Sequence, residues 1–442
     1  MMRSRKRWTS ILLVPAVLAV GCGDDKESSS TTEAPPKDES TTTAGSGGEA
    51  ATGDPIKVGL SYLDFDDLKA KGLAPNGWGD QEMIAQTYID VINDGGGLGG
   101  RPIEVVYHPY TPLGTEAAEA ACLAMTEDDD VQVVLGGFLG PAEPANTCIA
   151  GQGETILVGG TMSEERLSEA KAPWITYQVM RTQQAQILLD LLAKEDMIKG
   201  AKVAVVTGPQ AEDVRESLTQ ALDDHDVDVV ADLVNEASSG EVVAEDQAWA
   251  TIAEKIRAEG ADTVLLAGST AAGVRNIASQ GLDVDVWVLD QEELRNLGST
   301  VELDDARGAV TAAALTGQEL WEDDTVKECR EEFEAAHPDI EVLGPNELPE
   351  GEEAWWEGIV HQCRIISVFE TVMGNLDGEL SNESFAAAVD ATGDFEAPGQ
   401  PFASLGKAKF TTNDSFQLAE FDPDTGQNGS LKGMTDIEDV TT

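Results

Sequence analysis

From Ile56 to Asp290 the chain is punctuated by short runs of apolar, largely β-branched residues, and no other feature constrains its fold as much. The first four are IKVGLSY (56–62), IEVVYH (103–108), VQVVLGG (131–137) and TILVGG (155–160). The next four are KVAVVTG (202–208), VDVVADL (227–233), DTVLLAG (262–268) and VWVLD (286–290). They are continuously apolar rather than alternating, as strands buried on both faces are. Between them lie helical patterns. Met83, Ile84, Tyr88, Val91 and Ile92 recur at helical spacing, and Leu188, Leu189, Leu191 and Leu192 do so more crudely. Such alternation predicts an α/β fold with parallel-rich, doubly wound sheets. Residues 161–199 separate two sets of four strands, which predicts two sheets and two similar lobes. A chain of 442 residues is long enough to build both. Farther on, Trp321 to Gly374 reads as helical, and residues 408–434 read as strands joined by turns.

The stretch INDGGGLGGRPIEVVYH (92–108) contains Gly95, Gly97 and Gly100 in G-x-G-x-x-G spacing. A dinucleotide loop follows a strand and opens a helix, so that the pyrophosphate meets free backbone N–H groups. Here a helix over 80–93 comes first and the strand follows. The glycines therefore read as a helix C-cap and a turn, and no cofactor is expected.

The N-terminus carries a basic segment, MMRSRKRW, then the apolar ILLVPAVLAV, too short to span a bilayer. LAVGC (18–22) follows and resembles the lipobox of bacterial lipoproteins, with Cys22 as the lipidated residue after removal of a signal peptide over 1–21. The segment 22–54 is rich in Ser and Thr and too poor in large apolar residues to pack a core. As a flexible tether of roughly 30 residues it would span about 30 Å. These features predict a folded domain anchored on the outer face of the cytoplasmic membrane, or in the periplasm.

Charge excludes one large class of partners. With 82 acidic and 28 basic residues, the net charge is −54, and leader cleavage makes it four units more negative. Such a surface repels phosphate backbones, so nucleic-acid binding is not expected. The acidity reads as a solvation adaptation, or as a match to a cationic ligand or partner.

Setting Cys22 aside leaves Cys122, Cys148, Cys329 and Cys363, an even number that favours disulfides in an exported protein. Three pairings are available; pairing neighbours in sequence is preferred. The sequence has no C-x-x-C, H-E-x-x-H or G-x-S-x-G motif, and its four histidines are scattered. No metal site and no enzyme activity is expected. DPDTGQNG (422–429) lacks the sixth-position Gly and closing Glu of a calcium loop and reads as a turn.

GDQEMIAQTYIDVINDGGGLGGRPIEVVYH (79–108) resembles the first βαβ unit of type I periplasmic binding proteins, specifically the branched-chain amino acid receptors of ABC transporters. VVLGGFLGPAEPA (133–145) and ILVGGTMSEERL (156–167) resemble the strand–loop–helix segments that wall the family's ligand cleft. The resemblance implies two lobes joined by three crossovers. Lobe 1 would comprise 55–178 and 315–404, and lobe 2 would comprise 179–314 and 405–442.

By the same resemblance, Trp78 would lie over the ligand side chain, and Leu139, Gly140, Thr161 and Ser163 would meet its polar head. Lobe 2 would contribute Gln210, Ser269 and either Asp290 or Gln291, the place of the family's ammonium-binding acid. Thr161-x-x-Glu164 also reads as a helix capping box. Departures bear on the ligand: Gly140 offers only its N–H where relatives place a serine, and LDFDDLKAKGLA (63–74) is an insertion before Trp78. The implied function is capture of an amino acid or related solute by a monomeric receptor that delivers it to an ABC permease. The alternative is a sensor of the same fold that signals to a partner protein.

Overall fold

The computed structural model describes residues 51–74, 76–208, 211–212, 214–237, 242–297, 301–349, 351–425 and 429–441. The signal peptide, Cys22, the tether through residue 50 and Gln210 lie outside the described residues. The last residues expected in the tether are not free, because the Thr52 and Gly53 N–H groups both donate to Gly100 O. Arg101 in turn donates to Asp54 O and Pro55 O.

The first sheet contains β1 (Ile56–Leu63), β2 (Ile103–Tyr110), β3 (Val133–Gly136), β4 (Ile156–Gly159) and β5 (Trp174–Ile175). All pairings are parallel, in the order β2-β1-β3-β4-β5. The second sheet begins with β6 (Lys202–Thr207), β7 (Asp228–Val234), β8 (Thr263–Ala267), β9 (Asp285–Val288) and β10 (Val310–Ala313). These run β7-β6-β8-β9-β10, also parallel, so both sheets share one strand order. A separate hairpin pairs β11 (Gly393–Ala397) with β12 (Gln400–Leu405). Antiparallel strands β13 (Ser415–Asp422), β14 (Ser430–Gly433) and β15 (Glu438–Asp439) then complete the second sheet.

All eight apolar runs are strands. β5 and β10 bring the parallel set in each sheet to five; both are too short, and β10 too rich in Ala and Thr, to stand out in the sequence. Helices cover both faces of each sheet. On the first half of the chain these are α1 (Phe65–Ala70), α2 (Gln81–Asp94), α3 (Glu116–Leu123), α4 (Glu164–Glu169) and α5 (Arg181–Lys194). Then come α6 (Arg215–Asp224), α7 (Val242–Glu259), α8 (Thr270–Ser279) and α9 (Gln291–Arg295). The expected helical region supplies α10 (Gly317–Glu322), α11 (Asp324–Ala336) and α12 (Trp355–Gly374), and α13 (Asn382–Thr392) follows. Among the described residues no helix is long and apolar enough to cross a membrane.

Burial explains the continuous apolar runs. Ile56, Val58 and Leu60 of β1, with Val133, Leu135, Ile156 and Val158, face one core shared with α2, α12 and α13. The intervening Val134 and Leu157 face a second core with Cys122, Phe138 and Ile149. In the second sheet Val203, Val205 and Leu265 face one side, and Ala204, Val206, Val264 and Leu266 the other. With a period of two and both faces covered, the central strands are apolar at nearly every position, whereas the edge strands β2 and β7 are only partly buried.

The glycine stretch joins α2 to β2. Gly96 and Gly97 have φ of 105° and 72°, and a Cβ on Gly97 would come within 2.1 Å of Arg101 O. Its spacing follows from a tight helix-to-strand turn. The sequence-neighbour cysteines pair, Cys122 with Cys148 and Cys329 with Cys363, with Cα separations of 6.2 and 6.1 Å.

Candidate functional site

An open parallel sheet offers a ligand crevice beyond the carboxyl ends of its strands, where the strand order reverses. With order 2-1-3-4-5 that point lies between β1 and β3 in the first sheet and between β6 and β8 in the second.

At the first switch point, β3 runs into Gly137–Phe138–Leu139 and β4 into Gly160–Thr161. The two loops touch, and a Cβ on Gly137 would lie 2.7 Å from the Gly160 Cα. Both glycines have positive φ, 68° and 72°. One fully buried side chain, Asn146, fastens them. Its Oδ1 accepts from Phe138 N at 2.8 Å, and its Nδ2 donates to Phe138 O at 2.9 Å and Thr161 O at 3.4 Å. Ser61 of β1 donates to Gly137 O at 3.0 Å, and the Tyr110 hydroxyl accepts from Leu139 N at 3.0 Å.

Upon this frame Leu139 and Thr161 are half-buried and Gly140 is exposed, opening a 3-10 turn over Gly140–Ala145. The Thr161 hydroxyl makes no hydrogen bond among the described residues. The expected capping box on Thr161 does not form. Ser163 is the N-cap of α4, accepting from Arg166 N at 3.3 Å, because the Gly159–Gly160 loop delays the helix by two residues.

At the second switch point the polar groups are already engaged. Ser269 caps α8 in sequence, but its hydroxyl accepts from Asn235 Nδ2 at 3.1 Å. Glu293 Oε2 occupies the start of that helix, accepting from Thr270 Oγ1 at 2.7 Å and Thr270 N at 3.3 Å. Asp290 caps α9, accepting from Glu292 N at 2.9 Å. Burial pushes its carboxyl up to about 6, a direction reinforced by Glu293 and Glu292 and opposed by Arg181. Gln291 turns away, its Oε1 accepting from Ala314 N at 3.1 Å.

The structure groups Trp78 with residues that the sequence reading omitted. Its ring contacts Phe65 of the inserted α1, with centroids 4.9 Å apart, and His361 of α12 at 5.5 Å. Lys69 of α1 pairs with Glu353 at 2.5 Å, and Glu353 also accepts from Gly79 N, so the insertion is stitched to the Trp78 loop. Burial raises the Glu357 carboxyl, while Arg295 of α9 and the Trp78 indole N–H favour its charge. Burial and the nearby Arg364 guanidinium push His361 down to about 4, so its imidazole is neutral at pH 7.

Glu357, His361 and Arg364 fall at i, i+4 and i+7 on α12, a polar stripe that could have been found in EAWWEGIVHQCR. Asn146 and Glu293 carry no comparable sequence signal. His108 pairs with Asp129 at 2.9 Å, away from this group. Among the described residues no three His, Cys, Asp or Glu side chains gather to hold a metal ion.

A profile of the family described as "Periplasmic binding protein" matches residues 80–427. No curated protein matches the chain. Among solved structures, an ABC transporter substrate-binding protein from Desulfitobacterium hafniense in complex with Leu is 14% identical. The match covers 86% of this chain and 100% of that one, with a TM-score of 0.59. The branched-chain amino acid transporter substrate binding protein LivJ from Streptococcus pneumoniae, in complex with isoleucine, is 15% identical over 86% and 99% of the two chains, with a TM-score of 0.56. A solute binding protein of an ABC transporter from R. palustris, in complex with 4-hydroxybenzoate, is 15% identical over 88% and 98%, with a TM-score of 0.58. With two sheets of one strand order, loops poised at both switch points and a profile match across most of its length, this chain belongs to the periplasmic binding protein family.

Proposed function

We propose that this protein is a lipid-anchored extracytoplasmic receptor that captures a small polar solute between two lobes and delivers it to an ABC importer. The lobes are those drawn from the sequence, 55–178 with 315–404 and 179–314 with 405–442. The observation that carries the reading is the first switch point: two glycine loops locked by Asn146 present a half-buried Thr161 hydroxyl that has no hydrogen-bond partner among the described residues. Preformed loops of this kind bind with little ordering cost. Thr161 and the N–H groups of 139–140 meet a polar head group, and Trp78 bounds its apolar part. From the second lobe Asp290, at the start of α9, is the carboxylate available to a cationic group of the solute. Solute contacts to both lobes favour the closed state, and the closed surface is what the permease recognises. The complexes of the structural neighbours with leucine, isoleucine and 4-hydroxybenzoate support small organic acids as the solutes to try first.

A thermal-shift screen of the full-length chain against amino acids, aromatic acids, polyamines and amides tests this. A solute at 100 times its dissociation constant adds about 2.7 kcal/mol, a rise of several degrees. Turnover of a solute, or an unmoved melting curve across all classes, would contradict the receptor reading.

A further inference from the structure

Helix α12 is buried on most sides: twelve of its twenty residues are covered, and the polar stripe of Glu357, His361 and Arg364 interrupts that burial. Neither charge on this stripe has an ion-pair partner among the described residues. Glu357 feels the Arg295 guanidinium only at longer range, since Arg295 pairs with Glu292 at 2.9 Å. Arg364 has no carboxylate within ion-pair distance among the described residues. Its Nε donates to Pro398 O at 2.6 Å, its guanidinium lies 5.9 Å from the Tyr177 ring centroid, and its two terminal nitrogens have no hydrogen-bond partner among the described residues. The acid whose charge reaches it, Asp323, is spent capping α11, accepting from Thr325 N at 3.0 Å and Val326 N at 3.1 Å.

A chain with 82 acids to 28 bases thus leaves a half-buried guanidinium without a counter-ion among the described residues. Its position is fixed: the turn at Gly399 packs so closely that a Cβ there would lie 2.6 Å from Arg364 Nη2. Beside it, His361 Nδ1 is 3.3 Å from the Tyr177 hydroxyl and the His361 ring contacts Trp78. With Tyr177 donating to Nδ1, the ring proton sits on Nε2 and points a neutral donor elsewhere. A buried cation without a partner is costly, and the planar fork of arginine suits a carboxylate in two parallel hydrogen bonds.

We propose that Arg364, with the His361 Nε2–H beside it, binds a carboxylate of the solute, at the end of the site nearest Tyr177 and the 398–399 turn. This rests on the receptor reading and adds to it a chemical class and a seat for the charge. Trp78, in contact with the same histidine, bounds the apolar body of that solute, and Thr161 is left for a neutral polar group.

Titration calorimetry on the full-length chain with matched acids and amides tests it: 4-hydroxybenzoate against 4-hydroxybenzamide, and isoleucine against isoleucinamide. The wild type is expected to prefer an acid over its amide by about 10- to 100-fold. Arg364→Gln removes that preference by weakening the acid alone, and Arg364→Lys restores part of it. A purely structural arginine would weaken acid and amide together. Equal binding of acid and amide by the wild type, or equal weakening of both by Arg364→Gln, overturns this inference and leaves the receptor reading intact. So does a protein stabilised in the wider screen by cationic or neutral solutes alone. If no solute of any class binds, both readings fall.

Discussion

The switch points of the two sheets have the same strand order and differ in what their polar groups are doing. At the first, the hydrogen bonds run between loops: Asn146, Ser61 and Tyr110 hold the backbone of 137–139 in place, and the outermost hydroxyl, Thr161, is left over. At the second, the same kinds of residue satisfy one another, with Ser269 on Asn235, Thr270 on Glu293 and Asp290 on its own helix. One edge is a hydrogen-bonded surface whose Thr161 hydroxyl has no partner among the described residues. The other is closed upon itself and offers chiefly the charge of Asp290. Both disulfides also lie on the first side, each with its cysteines in the cores that flank the first sheet. The lesson is that one topology yields a braced wall where side chains hold the loops from behind, and a self-contained one where they cap the helices in front.

The sharpest way to break this contrast is to unstaple the braced side. Replacing Cys329 and Cys363 by alanine frees a loop of 34 residues and should cost about 4 kcal/mol. Hydrogen exchange should then rise in β1, α2 and α12 while β6 and β8 keep their protection; uniform loss would mean that the two sides unfold as one. Next in size is Asn146→Ala, which strands the Phe138 N–H and C=O in a buried site and should cost about 2–3 kcal/mol by urea unfolding. It should weaken solute binding more than stability alone explains. On the other edge Glu293→Ala uncaps α8 and should cost about 1 kcal/mol, with little change in affinity.

The last test is one of pH. Because the folded-state pKa of Asp290 is raised to about 6, the folded protein holds that proton more tightly than the unfolded chain. Its charge therefore costs stability above pH 6, and the cost is relieved as pH falls through 6 toward 4. Asp290→Asn, which keeps a helix cap, should raise the melting temperature at pH 7.5 and lose that advantage near pH 4. An equal gain at both pH values would place the effect elsewhere.

Strands buried on both faces were legible because nearly every central position is apolar, and the G-x-G-x-x-G stretch was legible because chain order alone separates a turn from a phosphate loop. β5 and β10 were hidden by their length. Trp78, Leu139, Gly140 and Thr161 were named through the resemblance to the receptor family, because no local pattern in the chain singles them out. How the rest of the neighbourhood comes together was not readable, since it is assembled from distant segments: Phe65 meets Trp78 through an insertion, and the stripe of Glu357, His361 and Arg364, visible by itself, arrives on a helix about 280 residues later. The cap at Ser163 rather than Thr161 depended on backbone φ at two glycines. Residue type alone does not report that.

The most direct measurement is a calorimetric titration of the tightest solute from the screen into the wild type, Thr161→Val and Ser269→Ala. The braced edge predicts an affinity loss of about ten-fold for Thr161→Val, with its melting temperature unchanged, and less than about two-fold for Ser269→Ala. Unchanged affinity in Thr161→Val, or a larger loss in Ser269→Ala, would contradict the assignment of the first switch point as the wall that receives the solute.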